Sequence, residues 1–370
     1  MARLIAWLCA WSLLALFVAC SDSPETPGNP SGAGASSAAA GGSSSNGGSD
    51  AQGSGASGAQ GSGGGSPGAG GNGGGAPGVE PVLVAFIGDS GKGNNFKSVL
   101  DLVIAEQADA VIHNGDFDYG LDPDAFFSVV DTALGADYPY FASVGNHDAP
   151  SWTDYSAYLV DHMDKVGVTP DDPDLSDQKF AFLYQGLRFV FVGENGENAE
   201  FAEFIADQLD PAADEWKICG WHKNQNAMQI GGKGNEMGWD VYENCRLAGA
   251  IITTGHEHSY ERTKTLVSME QQTVDETCSG VAETCVSPGR TMAIVSGLGG
   301  VGIRDQERCA PATPPYGCKG EWASIYASDQ GATYGALFIE FNTGGNPKKA
   351  HGYFKNVDGV VIDDFIITRE

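Results

Sequence analysis

The sequence predicts an α/β fold for residues 79–370, and three observations carry that prediction. Apolar runs of strand length alternate with helical apolar spacing from Val82 onward. The loop after each of the first three strands places a carboxylate or an amide beside glycine. The carboxyl part, from Thr291, is β-rich. In an open α/β sheet ligands gather beyond the carboxyl ends of the strands, so these loops should converge.

Val82–Ile87 is a continuous apolar run that ends in Gly88-Asp89-Ser90-Gly91-Lys92-Gly93. The spacing G-x-x-x-x-G-K-[ST] is not met, which excludes a phosphate loop of that kind. Phe96, Val99, Leu100, Val103 and Ile104 then fall at helical spacing and predict an amphipathic helix on the sheet. Ala110–Ile112 is the second strand and delivers Gly115-Asp116-Phe117-Asp118-Tyr119. Alone, that pentapeptide is an ordinary turn; a carboxylate and a phenol three residues apart also suit hard metal ions. Asp118 is expected to face solvent. Asp122 caps a second helix with Pro123 at its first position, and Phe126, Phe127, Val130 and Leu134 give it an apolar face. Tyr140–Val144 is the third strand, ending in Gly145-Asn146-His147-Asp148.

Residues 150–178 hold Trp152, Tyr155 and Tyr158 among many Asp and Pro, and read as an insertion that walls a substrate pocket. Strands follow at Phe180–Tyr184 and Leu187–Val192, then a helix with Phe201, Phe204, Ile205 and Leu209. Trp216–Trp221 delivers His222, and Leu247–Thr254 delivers Gly255-His256-Glu257-His258. Later strand-like runs begin at Ala293, Ala336, His351 and Val360. His113 is expected inside the fold, with His162 and His351 away from any site. No G-x-S-x-G occurs, which leaves nucleophilic-serine chemistry without support.

The amino terminus has a different character. One positive charge precedes the apolar stretch Leu4–Ala19, a signal peptide over residues 1–19. It ends Phe17-Val18-Ala19-Cys20, which resembles the lipobox of bacterial lipoproteins and implies a lipidated Cys20; the alternative is an ordinary secretory signal cut near Ala19. Residues 20–78 are nearly all Gly, Ser, Ala, Asn and Pro, a tether unable to bury enough surface to offset its ordering entropy. A Gly-rich coil of that length holds the next domain roughly 40 Å from the anchor. The expected layout is anchor, disordered tether and one catalytic domain over 79–370, in an exported protein that is either a cell-envelope lipoprotein or secreted.

Charge and cysteines narrow the class. Twenty Lys and Arg stand against 48 Asp and Glu, a net charge of −28, and no basic cluster offers the positive footprint that nucleic acid needs. Of eight cysteines, Cys9 lies in the signal and Cys20 at its end, leaving six for disulfides. Six cysteines allow fifteen pairings. Cys278 with Cys285 and Cys309 with Cys318 close short loops, and Cys219 then pairs with Cys245.

Taken singly, each strand-end motif is a common turn or a structural histidine. Together, Asp89, Gly115-Asp116, Gly145-Asn146-His147-Asp148, His222 and Gly255-His256-x-His258, in that order, resemble the calcineurin-like metallophosphoesterase superfamily. The resemblance covers essentially the whole body after the tether. Most of that family has Asp-x-His at the first motif, where this chain has Asp89-Ser90-Gly91. Tyr119, three residues after Asp116, takes the place of the missing histidine, an exchange that marks the purple acid phosphatase branch. The run His256–Arg262 and Gly297-x-Gly299-Gly300 are similar to that branch as well.

The resemblance implies a β-sandwich flanked by helices in αββα layers. It implies Asp89, Tyr119 and His258 on Fe(III); Asn146, His222 and His256 on a divalent ion (Zn, Fe or Mn); and Asp116 bridging the two. Ferric plus divalent charge against Asp89, Asp116 and Tyr119 leaves the centre formally about +2, enough to draw a small phosphorylated substrate to an acidic body. Such a two-metal centre hydrolyses phosphate monoesters with a metal-bound hydroxide. His147, adjacent to Asn146, would protonate the leaving alkoxide or stabilise the transition state; the other reading makes it a hydrogen-bond partner behind the ligands. Two other readings stand beside this one: a phosphodiesterase or nucleotidase on the same fold with Mn or Zn, and a non-catalytic surface-binding lipoprotein.

Overall fold

Unbroken apolar runs such as Val82–Ile87 form strands that lie buried within two stacked sheets. In the computed structural model the described residues are 79–370 apart from 173 and 194–197; the signal segment 1–19, Cys20 and the tether 20–78 lie outside them. The chain runs β1 (Val82–Ile87), α1 (Asn94–Ala105), β2 (Ala110–Asn114), α2 (Pro123–Leu134), β3 (Tyr140–Ser143) and α3 (Trp152–Lys165). It continues with β4 (Phe180–Tyr184), β5 (Leu187–Phe191), α4 (Asn198–Gln208), β6 (Trp216–Gly220), α5 (Trp239–Ala248) and β7 (Ile251–Thr254). Strands make up most of the remainder: β8 (Tyr260–Thr263), β9 (Leu266–Ser268), β10 (Thr273–Val274), β11 (Glu283–Val286), β12 (Ala293–Ser296), β13 (Trp322–Tyr326), β14 (Gly335–Phe341), β15 (Lys349–Asn356) and β16 (Val361–Arg369).

One seven-stranded sheet has the order β11-β16-β15-β14-β1-β2-β3, the other β13-β8-β12-β7-β6-β5-β4, and β9 pairs with β10 apart from both. β1, β2 and β3 are parallel in the first sheet, and β5, β6, β7 and β12 in the second. Aromatic residues join the sheets face to face: Phe141 with Phe182, centroids 4.6 Å apart, Trp216 with Phe341 at 5.4 Å, and Tyr260 with Phe354 at 4.3 Å. Val190, Cys219 and Ile252, on the second sheet, cluster with Phe201 and Ile205 of α4 and Val241 and Tyr242 of α5. Phe96, Val99 and Val103 of α1 and Phe126, Phe127 and Val130 of α2 join the first sheet's core. The result is the expected αββα sandwich.

A buried ion pair ties the sheets at their far edges. Arg262 on β8 is fully buried and donates to both oxygens of Asp363 on β16, Nε to Oδ2 at 2.7 Å and an Nη to Oδ1 at 2.9 Å. Tyr260 donates its hydroxyl to the same Oδ2 at 2.8 Å. The guanidinium also lies over the Phe365 ring, 3.8 Å from its centroid.

Three expectations need correction. Ile104 is at the edge of the α1 stripe and is 48% exposed, while Leu102 is buried. The apolar run from Leu247 is not one strand: Leu247 and Ala248 finish α5, Gly249 turns the chain at φ +70°, and β7 begins at Ile251. Residues 150–178 do not wall a pocket with aromatics. Trp152 is buried and donates to Leu175 O at 2.6 Å, Tyr155 packs on Phe117 at 5.0 Å, and Tyr158 stacks on Phe127 at 4.7 Å. Burying Trp152 and Tyr155, with Tyr158 half-buried beside them, outweighs the polarity of the segment around them.

The expected disulfides Cys219–Cys245, Cys278–Cys285 and Cys309–Cys318 are all formed, with Cα atoms 6.4, 6.1 and 4.7 Å apart. They suit an oxidising, extracellular compartment. Among the described residues no helix is long and apolar enough to cross a membrane.

Asp363→Ala would leave Arg262 buried and uncompensated. We expect it to lower unfolding stability by about 3–5 kcal/mol, measured by urea denaturation, with Asp364→Ala on the exposed neighbour changing little.

Candidate metal centre

Backbone contact between loops brings the strand ends together. A Cβ on Gly145 would fall 2.2 Å from Asp116 N, and one on Gly115 would fall 2.6 Å from Gly145 N, so the loops after β2 and β3 touch main chain to main chain. Asp148 fastens them: its buried carboxylate accepts from Asp116 N at 2.7 Å, Phe117 N at 2.8 Å and Gly145 N at 2.9 Å. The loops after β1 and β2 are joined by Asp89 N to Gly115 O at 3.1 Å and Ser90 N to Asp116 O at 3.0 Å. Asp89 also reaches the second sheet, its Oδ2 accepting from His256 N at 2.8 Å.

Two groups of donor atoms result. Asp89 Oδ1, the Tyr119 hydroxyl oxygen and His258 Nε2 form a triangle with every edge 3.3 Å. In the second group His222 Nε2 lies 3.2 Å from Asp116 Oδ2 and 3.1 Å from His256 Nδ1. His222 links the groups, its Nε2 4.0 Å from Asp89 Oδ1. Asn146 stands on the β3 loop with Oδ1 buried and without a hydrogen-bond partner. His147, half exposed, sits at the rim with Nε2 4.0 Å from Asp116 Oδ2 and its ring 4.5 Å from that of Tyr119. Every residue expected from the motifs therefore lies at this one end of the sandwich.

The protonation states follow from the partners. His222 Nδ1 donates to Asn114 O at 2.7 Å, which makes Nε2 the nitrogen that faces Asp116. His256 Nε2 faces Glu236 Oε2 at 3.1 Å and so carries the hydrogen, which leaves Nδ1 unprotonated. Burial, and after it the neighbouring His222 and Lys233, pushes the His256 pKa far down, so the ring is neutral. His222 Nε2 thus stands between His256 Nδ1 at 3.1 Å and Asp116 Oδ2 at 3.2 Å, three donor atoms gathered where a cation could draw them all.

Asp89 and Asp116 are ionised although burial opposes it. For Asp116, burial raises the pKa, but His222 and the His147 amide together hold it well below the usual range. Asp89 is lowered against burial by His258 and His222. Burial, then the Asp89 and Asp116 carboxylates, raises the Tyr119 phenol far above its ordinary value, so only a strongly acidic cation can take its proton's place. Donors at edges near 3.3 Å suit first-row ions with ligand bonds of about 2.1 Å. The residues present fit a pair of metal ions.

The backbone is strained at the same residues. Asp89 (φ 56°), Asp116 (φ 59°), Tyr119 (φ 57°) and His256 (φ 71°) all occupy the left-handed region, which costs a non-glycine residue about 1–3 kcal/mol each. Neighbouring residues hold the strain. Phe117, between Asp116 and Tyr119, is buried against Phe126 at 5.2 Å and His113 at 4.9 Å. His113, neutral with its pKa pushed down to about 3 by burial, has Nε2 2.9 Å from Ser90 Oγ, which donates to Phe117 O at 2.8 Å.

Asp118 departs from expectation: it does not face solvent but is 8% exposed and organises the loop from inside. It accepts from the amides of Gly120, Leu121 and Asp122 at 3.0, 2.9 and 3.0 Å, from the Tyr155 hydroxyl at 2.6 Å and from Lys92 Nζ at 3.0 Å. Sequence reasoning also missed Glu236, Lys233 and the lone-pair role of the Asn114 carbonyl. Asp148 was visible in its motif; the others lack any local periodicity or spacing. His162 pairs with Asp131 at 3.1 Å and His351 with Asp364 at 3.2 Å, away from the centre as expected.

Residues 82–260 match the family model described as calcineurin-like phosphoesterase, just under half of the chain. No curated protein matches the chain. Among solved structures, the chain is similar to the purple acid phosphatase PPD1 from yellow lupin (Lupinus luteus) seeds, with a TM-score of 0.57, 18% identity and 79% of this chain covered. The chain spans only 54% of that protein's length, and at this identity the likeness is one of fold. GAP50, the anchor in the inner membrane complex of Plasmodium, matches with a TM-score of 0.49 and 13% identity over 78% of this chain and 89% of its own.

Burial raises the Asp118 pKa, but its hydroxyl, amide and ammonium donors outweigh that and hold it at about 2, below the ordinary 3.8. A carboxylate with a lowered folded pKa contributes stability that is present above 3.8 and is lost as pH falls through about 2. Asp118→Asn should therefore destabilise the metal-free protein by about 2 kcal/mol at pH 7, and urea midpoints of variant and parent should converge as the pH approaches 2.

Proposed function

We propose, from the calcineurin-like phosphoesterase domain carried by residues 82–260, that this protein is a metal-dependent hydrolase of phosphate monoesters, an acid phosphatase of the purple type. The observation that supports the finer reading is Tyr119, whose hydroxyl oxygen stands 3.3 Å from both Asp89 Oδ1 and His258 Nε2. A phenolate is a hard anionic donor and favours Fe(III) over softer ions. In this reading Asp89, Tyr119 and His258 would hold the ferric ion, Asn146, His222 and His256 would hold Zn, Fe or Mn in the divalent state, and Asp116 would serve both.

When bound, the two ions supply an activated water and neutralise charge on the phosphoryl group. The chain's own residues do the rest. Asp148 and the glycine contacts keep the loops from spreading when like charges meet. Asn114 and Glu236 keep the two facing imidazoles in the tautomers that present lone pairs inward. His147, reaching from the rim with its side chain half exposed, hands a proton to the departing ester oxygen. Export through residues 1–19 and tethering through Cys20 complete the proposal, and mass spectrometry of the amino-terminal peptide tests the lipid.

The purified protein should be coloured and should release phosphate from p-nitrophenyl phosphate. Tyr119→Phe should remove the visible band while circular dichroism stays unchanged; a colourless parent that is fully active without iron rejects the ferric assignment. His147→Ala should lower kcat on an alkyl phosphate by about 10²–10⁴, and much less on p-nitrophenyl phosphate, whose leaving group departs without a proton. Equal losses on both substrates would assign His147 to orientation instead.

A further inference from the structure

Residues 225–238 form a strap beside the centre that belongs to neither sheet. It is fixed along its length: Ile230 N donates to Glu261 Oε2 at 3.0 Å, Arg308 N to Ile230 O at 2.9 Å, and Met237 N to Gln225 Oε1 at 3.1 Å. Asn226 N donates to Asn235 Oδ1 at 3.0 Å, and Glu236 N to Asn224 O at 3.2 Å. The strap offers two opposite charges to one residue. Lys233 Nζ donates to the His256 carbonyl oxygen, and Glu236 Oε2 lies 3.1 Å from His256 Nε2.

We infer that Glu236 is the positioning residue of the divalent site: by holding the hydrogen of His256 on Nε2, it delivers Nδ1 to the metal. This rests on the two-metal reading above. The alternative tautomer shows why such a residue is needed. With its hydrogen on Nδ1, His256 would donate to His222 Nε2, 3.1 Å away, and the two imidazoles would satisfy each other. One proton would then block two ligands at once. Glu236 removes that dead end, because its carboxylate is an acceptor that only the Nε2–H tautomer can use. The carboxylate also makes the ligating nitrogen a stronger donor. His256 needs both grips, since its main chain sits at φ 71° and its ring is otherwise held only from the side of His222.

The test is Zn(II) binding to the metal-free full-length chain, followed by chelator competition, which does not depend on turnover. The parent should bind two ions. Glu236→Ala should weaken one of them by roughly 10–100-fold and leave the other unchanged, with the melting temperature of the metal-free protein unaltered. Glu236→Gln keeps the size and an acceptor oxygen but not the charge, and should fall between the two; it also serves if the alanine variant does not fold. Unchanged affinity for both ions in the variants, or equal weakening of both, overturns the inference. A parent that binds fewer than two ions overturns the two-metal reading itself, a result separate from the variants.

Discussion

Like charges and lone pairs crowd the end of this sandwich more closely than they would tolerate by themselves. Asp89, Tyr119 and His258 place donor atoms 3.3 Å from one another, and His222 Nε2 stands 3.1 Å from His256 and 3.2 Å from Asp116, with all but Tyr119 buried. In a medium of low polarity such groups repel strongly unless cations lie among them. Everything else near the site is arranged so that the folded chain holds this frustrated cluster ready, and the energy that does so comes from elsewhere in the molecule.

Part of that energy comes from the main chain itself. The loops after β2 and β3 meet without side chains between them because Gly115 and Gly145 have none to offer. Asp148 then accepts three amide hydrogens from both loops, and a carboxylate with that many donors is a strong clamp. Its pKa is nonetheless raised well above the ordinary value, by burial first and the neighbouring Asp116 second. Four left-handed residues among the donors carry strain that the clamp and the hydrophobic layer beneath must offset.

That layer is aromatic. Phe96, Phe117, Phe126, Phe127 and Tyr155 stack under the Asp116–Tyr119 loop, so its two outer residues, Asp116 and Tyr119, face the donors while Phe117 and Asp118 between them face into the fold. Farther out, Arg262 and Asp363 pin one sheet to the other across the sandwich. The two sheets contribute unequally to the centre, Asp89, Asp116, Tyr119 and Asn146 from one and three histidines from the other. Fixing their mutual position is therefore equivalent to fixing the site.

The sequence by itself carried most of the strands, the motif residues at their ends and, through a family resemblance, the αββα class, because apolar runs and strand-end motifs are local patterns. Six cysteines left fifteen pairings open, and the fold selects Cys219–Cys245, Cys278–Cys285 and Cys309–Cys318. Sequence reasoning misread Asp118, whose buried network comes from Lys92 and Tyr155, tens of residues away in the chain, and it misread Trp152, Tyr155 and Tyr158, whose polar neighbours concealed a helix packed on α2 and β3. Glu236 left no trace in the sequence at all: its partner His256 is 20 positions distant, on a loop after another strand, and only the strap's path brings them together. The pentapeptide Gly115–Tyr119 could be recognised as a source of ligands from its residues. Which of those side chains points to the donors, and which proton each histidine carries, was decided by packing and by hydrogen bonds between segments remote in sequence, since orientation and tautomer are set by neighbours in space.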